Sequence, residues 1–593
     1  MPDDIKRKAA GTLAGGLAGH TPVKTSGAGR LYEVDGLAFL QVAGSPYEMG
    51  RQHGEMLRAE IHDGVVPRYG DFVEYDHVLR NLPAAEKDAF RAEVDGIFER
   101  LHAHVSEPLR EELRGIADGA ELPYELVFRA NYFSELSQVL GKRRFDIEAG
   151  PGVPPDGCTG LVALAGATET GELIAGKNHD YPGTGLWDRF PVVIHYQPED
   201  AQQYVKATSA GLLKCNFSMN EAGITLGGHM LFSAEAEPDG RAFVTIENEI
   251  MREATDLDAA IERVEREPRA GCFAFVLTSW KEDRAVCLET NSKHVGRRDP
   301  EDGVLAMSNV TWADEEVMGA DLARLAGAGR NAHSRFQRMR EMLHEQRGHI
   351  DAEAAAAMLG DHRDCSSDCA RPVGHVIASQ TTVTSALAVP AEAKYYAAVG
   401  RAPVSNNPYL GFDFSEAFSA TSNTREVRLI DPLAGNREVG ADTLQAAHAY
   451  NEAIRLWDAG EDAEGALGKL AEAREVAGDE PVFARLAGRL LLRQGKTEAA
   501  REAFEQALPL TRSENERRET ELLLGNVADL AGDREAAAAH YRRVIEDPDA
   551  EAPAVKRVNP LLVKLARGYL ETPFDEAARA SLPVNFTFQA GFE

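Results

Sequence analysis

Residues 156–160, Asp-Gly-Cys-Thr-Gly, mark the point at which this chain changes texture, and that change limits the folds open to it. Before it, from Gln52 to about Leu136, apolar residues recur at helical spacing, most clearly over 90–104 and 107–120. After it come short β-branched and aromatic runs bounded by turn residues. Strands are expected at 158–167 and 173–180, joined by the turn Glu169-Thr170-Gly171-Glu172. Further strands follow at 192–197, 203–207, 224–230, 273–279, 285–289 and 304–310, with a last pair at 379–389 and 394–399. Residues 243–266 read as a strand and then a helix, and 334–347 and 351–360 as two helices. Upstream, 31–43 reads as an opening strand. Ser45, Pro46 and Glu48 then have the spacing of an N-cap, a first-turn proline and a capping box. Helices grouped before and between many antiparallel strands indicate an α+β layered domain.

The length of 593 residues allows more than one core, and the formal net charge of −31 argues against nucleic acid or an anionic membrane surface as main partner. No apolar run is long enough to span a membrane. Residues 1–30 are basic, then Gly/Ala-rich, without the continuous apolar core of a signal peptide, and read as a flexible tail. Six dispersed cysteines (158, 215, 272, 287, 365 and 369) are too sparse for a disulfide scaffold, so a reducing, cytoplasmic setting is expected. The Gly/Pro-rich stretch 145–156 reads as an exposed linker in front of Cys158.

From about Gly440 the chain turns to Ala/Leu/Glu/Arg-rich helices. Gly460, Gly495 and Gly532 lie 35 and 37 residues apart, each ahead of an Ala-rich helix. This spacing resembles tetratricopeptide repeats, whose period is about 34 residues, and an ordinary helical bundle is the alternative. The expected division is a tail (1–30), an enzyme-like domain (31–437), repeats (438–550) and a cap or tail (551–593).

A lone cysteine in a half-buried strand is usually a small packing residue. Three features set Cys158 apart. It follows the linker, it opens a hairpin, and the return strand ends in the polar cluster Lys177-Asn178-His179-Asp180. Pairing across 169–172 would place the Asp180 carboxylate beside Cys158.

Asp-Gly-Cys-Thr, a hairpin, then Gly176-Lys177-Asn178-His179-Asp180-Tyr181 resembles the self-processing family typified by acyl-coenzyme A:6-aminopenicillanic acid acyltransferase, peptidase family C45. The residues 44–50 with Gly54, 111–117, 219–223 and Ser308-Asn309 follow in the family's order, so the resemblance spans roughly residues 31–402. It implies a four-layer αββα N-terminal-nucleophile sandwich and cleavage between Gly157 and Cys158. The freed α-amine, with a pKa near 7.7–8.0, would then serve as base to its own thiol. Gly157 suits the cut because it lacks a Cβ. Cys158 would hold the acyl group as a thioester, Asp180 would orient the amine, and Asn309 would stabilise the oxyanion. Lys177 stands where bile-salt hydrolases and acid-ceramidase-like amidases carry arginine, as a point charge rather than a fork. His179 replaces the usual aromatic, and His229 falls near a position that is often asparagine; Lys177 and His229 are the substrate-binding candidates. No cofactor is implied, with acyl-coenzyme A admissible as acyl donor. His362, Cys365, Cys369 and His375 match no standard zinc spacing, so no metal is expected.

The reading is therefore a self-cleaving cysteine enzyme that hydrolyses a linear amide or transfers its acyl group to an amine. Dipeptidase-like activity and a catalytically silent scaffold are the alternatives. The substrate would be a small acylated amide or amine, and the repeats would offer a surface for a protein partner or self-association.

Overall fold

The computed structural model describes residues 15–17, 21–69, 84–144, 157–181, 184–214, 217–313, 329–419, 426–546, 559–582 and 584. The linker expected at 145–156 and most of the tail lie outside them.

The main strands, four of them upstream of Cys158, assemble into two sheets. The first has eight strands in the order Gly15–Gly16, Arg428–Leu433, Tyr409–Asp413, Lys394–Ala398, Thr382–Val389, Ile174–Asp180, Cys158–Ala163 and Val304–Met307, every neighbour antiparallel. The second has ten: Val295–Arg298, Arg284–Thr290, Phe273–Ser279, Ile224–Met230, Phe217–Asn220, Tyr204–Ser209, Pro191–Pro198, Leu37–Gly44, Gly29–Val34 and Lys24–Ser26. Its one parallel pair joins Leu37–Gly44 to Pro191–Pro198.

Three apolar cores separate four layers. One lies between the sheets and contains Val162, Ala175, Phe39 and Phe412. Another packs the second sheet against helices Pro46–Met56, Ala84–His102, Glu107–Ala120, Tyr124–Arg144, Phe243–Glu253 and Leu257–Glu265. The last packs the first sheet against helices Gly329–Glu345 and Ala352–Leu359. This is the expected αββα sandwich. Covered on both faces, strands such as Phe273–Ser279 are buried throughout, which is why they read as continuous apolar runs.

Several elements differ from expectation. The single strand at 31–43 is a hairpin, because Asp35 and Gly36 both take positive φ (46° and 87°) and make an Asp-Gly turn. The tail drawn at 1–30 is partly built in. Gly15–Gly16 pairs with Arg428–Leu433, Leu17 is buried, and Lys24–Ser26 extends the second sheet. The strand expected at the start of 243–266 is the helix Phe243–Glu253. Its Phe243, Ile246, Glu247 and Ile250 recur at 3.6-residue spacing on the buried face, and that packing overrides the β-branched composition. The strands at 409–413 and 428–433 lie beyond the pair taken as last.

Ser45 caps Pro46–Met56 through the expected capping box. That helix meets Glu107–Ala120 backbone to backbone. A Cβ on Gly50 would lie 2.1 Å from Glu112 O, and one on Gly54 2.4 Å from Ile116 O. Gly115 and Gly119 are equally tight against Tyr47 O and Arg51 O, at 2.2 and 2.4 Å. Two i, i+4 glycine pairs thus let the helices approach without side chains between them.

Beyond residue 440, helices pair as antiparallel hairpins: Ala441–Gly460 with Ala463–Val476, Pro481–Arg493 with Thr497–Ala507, and Glu514–Leu530 with Arg534–Ile545. The turns hold Gly495 and Gly532 at φ 76° and 78°, whereas the first uses Glu461 at φ 54°. Gly488 packs on the Phe504 ring and Gly525 on Tyr541, each aromatic four residues after a buried alanine, Ala500 or Ala537. Helices Pro560–Glu571 and Glu576–Ala580 follow, and the chain runs back so that Val584 O accepts from Trp457 Nε1 at 2.9 Å.

Candidate active site

Strand alternation sorts the polar cluster by face. On Cys158–Ala163, Val162 points into the inter-sheet core, while Leu161 and Ala163 point toward the helices over the first sheet. Cys158 and Gly160 share the inter-sheet face with Val162. Across the ladder His179 lies opposite Cys158 and Lys177 opposite Gly160. His229 approaches from the second sheet; a Cβ on Gly160 would stand 2.7 Å from its Nε2. Cys158, Lys177, His179 and His229 therefore gather on one face.

Asp180 does not. The residue facing Cys158 is His179, and the Asp180 side chain turns to the helix-covered face, where Thr382 Oγ1 donates to Oδ1 at 2.6 Å. Its contribution beside the cysteine is through backbone: Asp180 N donates to Gly157 O at 2.8 Å. Asn309 follows the strand Val304–Met307, and its Oδ1 accepts from Cys158 N at 2.5 Å while Nδ2 donates to Met230 O at 2.8 Å. In the uncut chain this asparagine is an acceptor for the nitrogen of residue 158, with its amide hydrogens directed to Met230 rather than to an oxyanion. The amide orientation is set by Arg335, whose Nη2 donates to the same Oδ1 at 3.1 Å.

Arg335, from helix Gly329–Glu345, carried no signal in the sequence, sitting on an ordinary amphipathic helix. Its Nη1 donates to Cys158 O at 2.7 Å and Thr159 Oγ1 at 2.8 Å, and lies 3.9 Å from Asp180 Oδ2. A Cβ on Gly157 would stand 2.1 Å from Nη2. Any larger residue at 157 would displace the guanidinium packed against it.

The electrostatics follow from burial. Burial lifts the Asp180 carboxyl to about 6, opposed by Arg335 and the Thr382 hydrogen bond. His179 and His229 are held well below the usual imidazole value, by burial first and Lys177 second, so both are neutral at pH 7. His229 is buried, its ring nitrogens have no hydrogen bond of good geometry, and its polar neighbour is the Cys158 backbone. Beside His179 a recess is lined by Phe133, Tyr181, Trp187, Leu212 and Lys214. The Lys214 ammonium is pushed down by burial and supported by Glu135.

The His/Cys set at 362–375 does not converge on a metal. His362 is bound to Arg371 O and Asn406 Oδ1 at 2.8 and 2.9 Å, and Cys369 faces Arg512. Among the described residues no group of three or more His, Cys, Asp or Glu side chains is placed to hold a metal ion, and no helix is long and apolar enough to cross a membrane.

Residues 167–402, a segment that begins after Cys158 and includes Lys177, Asp180, His229, Asn309 and Arg335, match the family described as acyl-coenzyme A:6-aminopenicillanic acid acyl-transferase. An uncharacterized protein of Archaeoglobus fulgidus is 23% identical over 255 residues, 42% of each chain. Protein dcd1B of Dictyostelium discoideum is 20% identical over 283 residues, 44% of this chain and 53% of its own. The chain spans about half the length of these curated relatives. Among solved structures, a Caenorhabditis elegans ortholog of N-acylethanolamine-hydrolyzing acid amidase is 14% identical, with a TM-score of 0.30 over 39% of this chain and 93% of its own. A mutant conjugated bile acid hydrolase from Clostridium perfringens is 12% identical, also with a TM-score of 0.30, over 46% and 96%.

Proposed function

We propose that a chain whose residues 167–402 match an acyl-transferase family is a self-cleaving cysteine enzyme that hydrolyses a linear amide or transfers its acyl group through a Cys158 thioester. The observation that carries this reading is the polarised peptide bond between Gly157 and Cys158. Its carbonyl oxygen accepts from Asp180 N at 2.8 Å, and its nitrogen donates to Asn309 Oδ1 at 2.5 Å.

The chemistry that fits is an N-to-S acyl shift. The Cys158 sulfur attacks the Gly157 carbonyl carbon, and the Asp180 N–H meets the oxyanion that forms. The C–N bond then breaks, its nitrogen taking up the proton released by the thiol. Water hydrolyses the resulting thioester, leaving a Gly157 carboxylate and a free Cys158 with both thiol and amine. His229, neutral and without a well-formed hydrogen bond, offers an acceptor on the thiol-bearing face. In turnover the amine of Cys158 is base to its own thiol, and Asn309 Oδ1 holds that amine. Acyl-coenzyme A as donor and an amine as acceptor fit the same scheme, as does a hydrolytic route that ends on water.

The hairpins beyond residue 440 support a tetratricopeptide-like reading. Gly488 with Phe504 and Gly525 with Tyr541 are equivalent contacts one repeat apart.

Intact mass of the purified full chain tests the proposal. Two fragments, residues 1–157 and 158–593, are expected, and Cys158→Ala abolishes the cut. A full-length wild-type chain that persists on incubation refutes self-cleavage. If cut protein releases free amino acid from dipeptides and no amine from N-acylated amines, the acyl-amide reading yields to the dipeptidase one.

A further inference from the structure

The inner helices of the hairpins lie against the catalytic domain. On Ala441–Gly460, Asn451 Nδ2 donates to Gln380 O and Ala402 O at 2.8 and 2.9 Å. Val373 shares an apolar core with Tyr450 and Phe483. Glu480, the N-cap of Pro481–Arg493, and Glu516, at the start of Glu514–Leu530, both grip Arg371, which is fully buried. Arg371 Nε and Nη2 donate to the two Glu480 oxygens at 3.0 and 2.5 Å, Nη2 also to Glu516 Oε1 at 2.6 Å, and Nη1 to Asp364 Oδ2 at 3.3 Å. Arg485 extends the network to Glu519 at 3.3 Å.

From Asp364 the path to the cysteine is short. The one hydroxyl hydrogen of Ser334 is shared between Asp364 Oδ1 and His375 O, at 3.3 and 3.0 Å from Oγ, and Oγ accepts from Cys365 N at 3.1 Å. The next residue on that helix is Arg335, which holds Cys158 O, Thr159 Oγ1 and Asn309 Oδ1. Residues of three helices of this region, Asn451, Glu480 and Glu516, are therefore turned onto the chain's own 364–380 segment.

We propose that the helical region is a positioning element of the cysteine centre: through Arg371, Asp364 and Ser334 it sets the placement of Arg335 against Gly157 and Cys158. The consequence for chemistry rests on the function proposed above; the mechanical coupling does not. Buried charges must stay paired, so this network has one favourable arrangement, and the helix packed on it inherits that position.

The test uses the full chain with Arg371→Met, Arg371→Lys and Glu480→Gln. Val264→Ala, a core truncation in Leu257–Glu265 on the far face of the second sheet, serves as control matched for loss of thermal stability. Amide hydrogen exchange over residues 329–345 and the rate of chain cleavage are measured on each. Arg371→Met should raise exchange and slow cleavage by about tenfold or more relative to the control, with partial rescue in Arg371→Lys. Should Arg371→Met fail to fold, Glu480→Gln keeps a similar shape and should move both readouts in the same direction. Effects no larger than those of the control, in every variant that folds, overturn the inference. If the wild-type chain is never cut, the proposed function fails while the exchange data still decide this one.

Discussion

Gly157→Ala probes the proposed centre with one methyl group. The added Cβ would stand 2.1 Å from Arg335 Nη2 and 2.6 Å from Cζ. Ordinary contact needs about 3.5 Å, so the guanidinium must retreat by about 1.4 Å. The retreat cannot be taken up by a free side chain. Arg335 is buried and its hydrogen bonds to Cys158 O, Thr159 Oγ1 and Asn309 Oδ1 span 2.7 to 3.1 Å. Losing one or two such charge-assisted bonds costs about 2–4 kcal/mol. Insofar as they align the Gly157–Cys158 bond for attack, cleavage slows by roughly 30-fold to 1,000-fold. A time course of intact mass after rapid purification reads the rate, and thermal unfolding reads the stability. Cleavage at the wild-type rate in a folded Gly157→Ala protein would refute the claim that this contact governs the cut. Arg335→Ala in the Gly157→Ala background should add little, because both changes act on one interaction.

Asn309→Ala removes the acceptor of Cys158 N and the donor to Met230 O. It should slow cleavage by about ten- to a hundredfold, read by the same mass assay. Gly54→Ala drives a methyl to 2.4 Å from Ile116 O. It should destabilise the chain by about 1–3 kcal/mol or more in denaturant unfolding, since both partners are helix backbone. Burial raises the Glu135 carboxyl to about 7, against Lys214 and the Phe243 N–H; Asp180 and Glu112 are raised to about 6 by the same cause. Raised folded-state values mean the native chain binds these protons more tightly than the unfolded chain. The stability they contribute is present below the unfolded carboxylate value and is lost as pH rises toward 7. The thermal midpoint should therefore fall from pH 5 to pH 7.5, and Glu135→Gln should flatten part of that fall, by at most about 3 kcal/mol. An unchanged slope in Glu135→Gln would show that this carboxyl ionises without cost.

Local chemistry made much of the fold legible. The Ser45–Glu48 capping box, the strand at Ile224–Met230 and the recurring turn glycines are encoded within a few residues of where they act. The hairpin returning from Cys158 to the Lys177–Asp180 cluster was legible for the same reason. Where local signals compete, packing chose: the β-branched start of Phe243–Glu253 is helical because its apolar residues fit the second sheet at that spacing. The sequence could bring Asp180 near residue 158, but a period-2 strand decides which face a side chain takes. Facing His179, Cys158 receives only the backbone of Asp180. Arg335 lies 177 residues from Cys158, and Glu480 lies 109 from Arg371. No periodicity encodes such separations. By itself, then, the sequence marked out most of the strands and helices of an α+β domain and set Cys158 apart, because those readings rest on short-range patterning; the four layers were implied by the resemblance. Only the tertiary structure decided which charge holds the cysteine's peptide bond and which domain braces that charge, because those depend on burial and on contacts between distant segments.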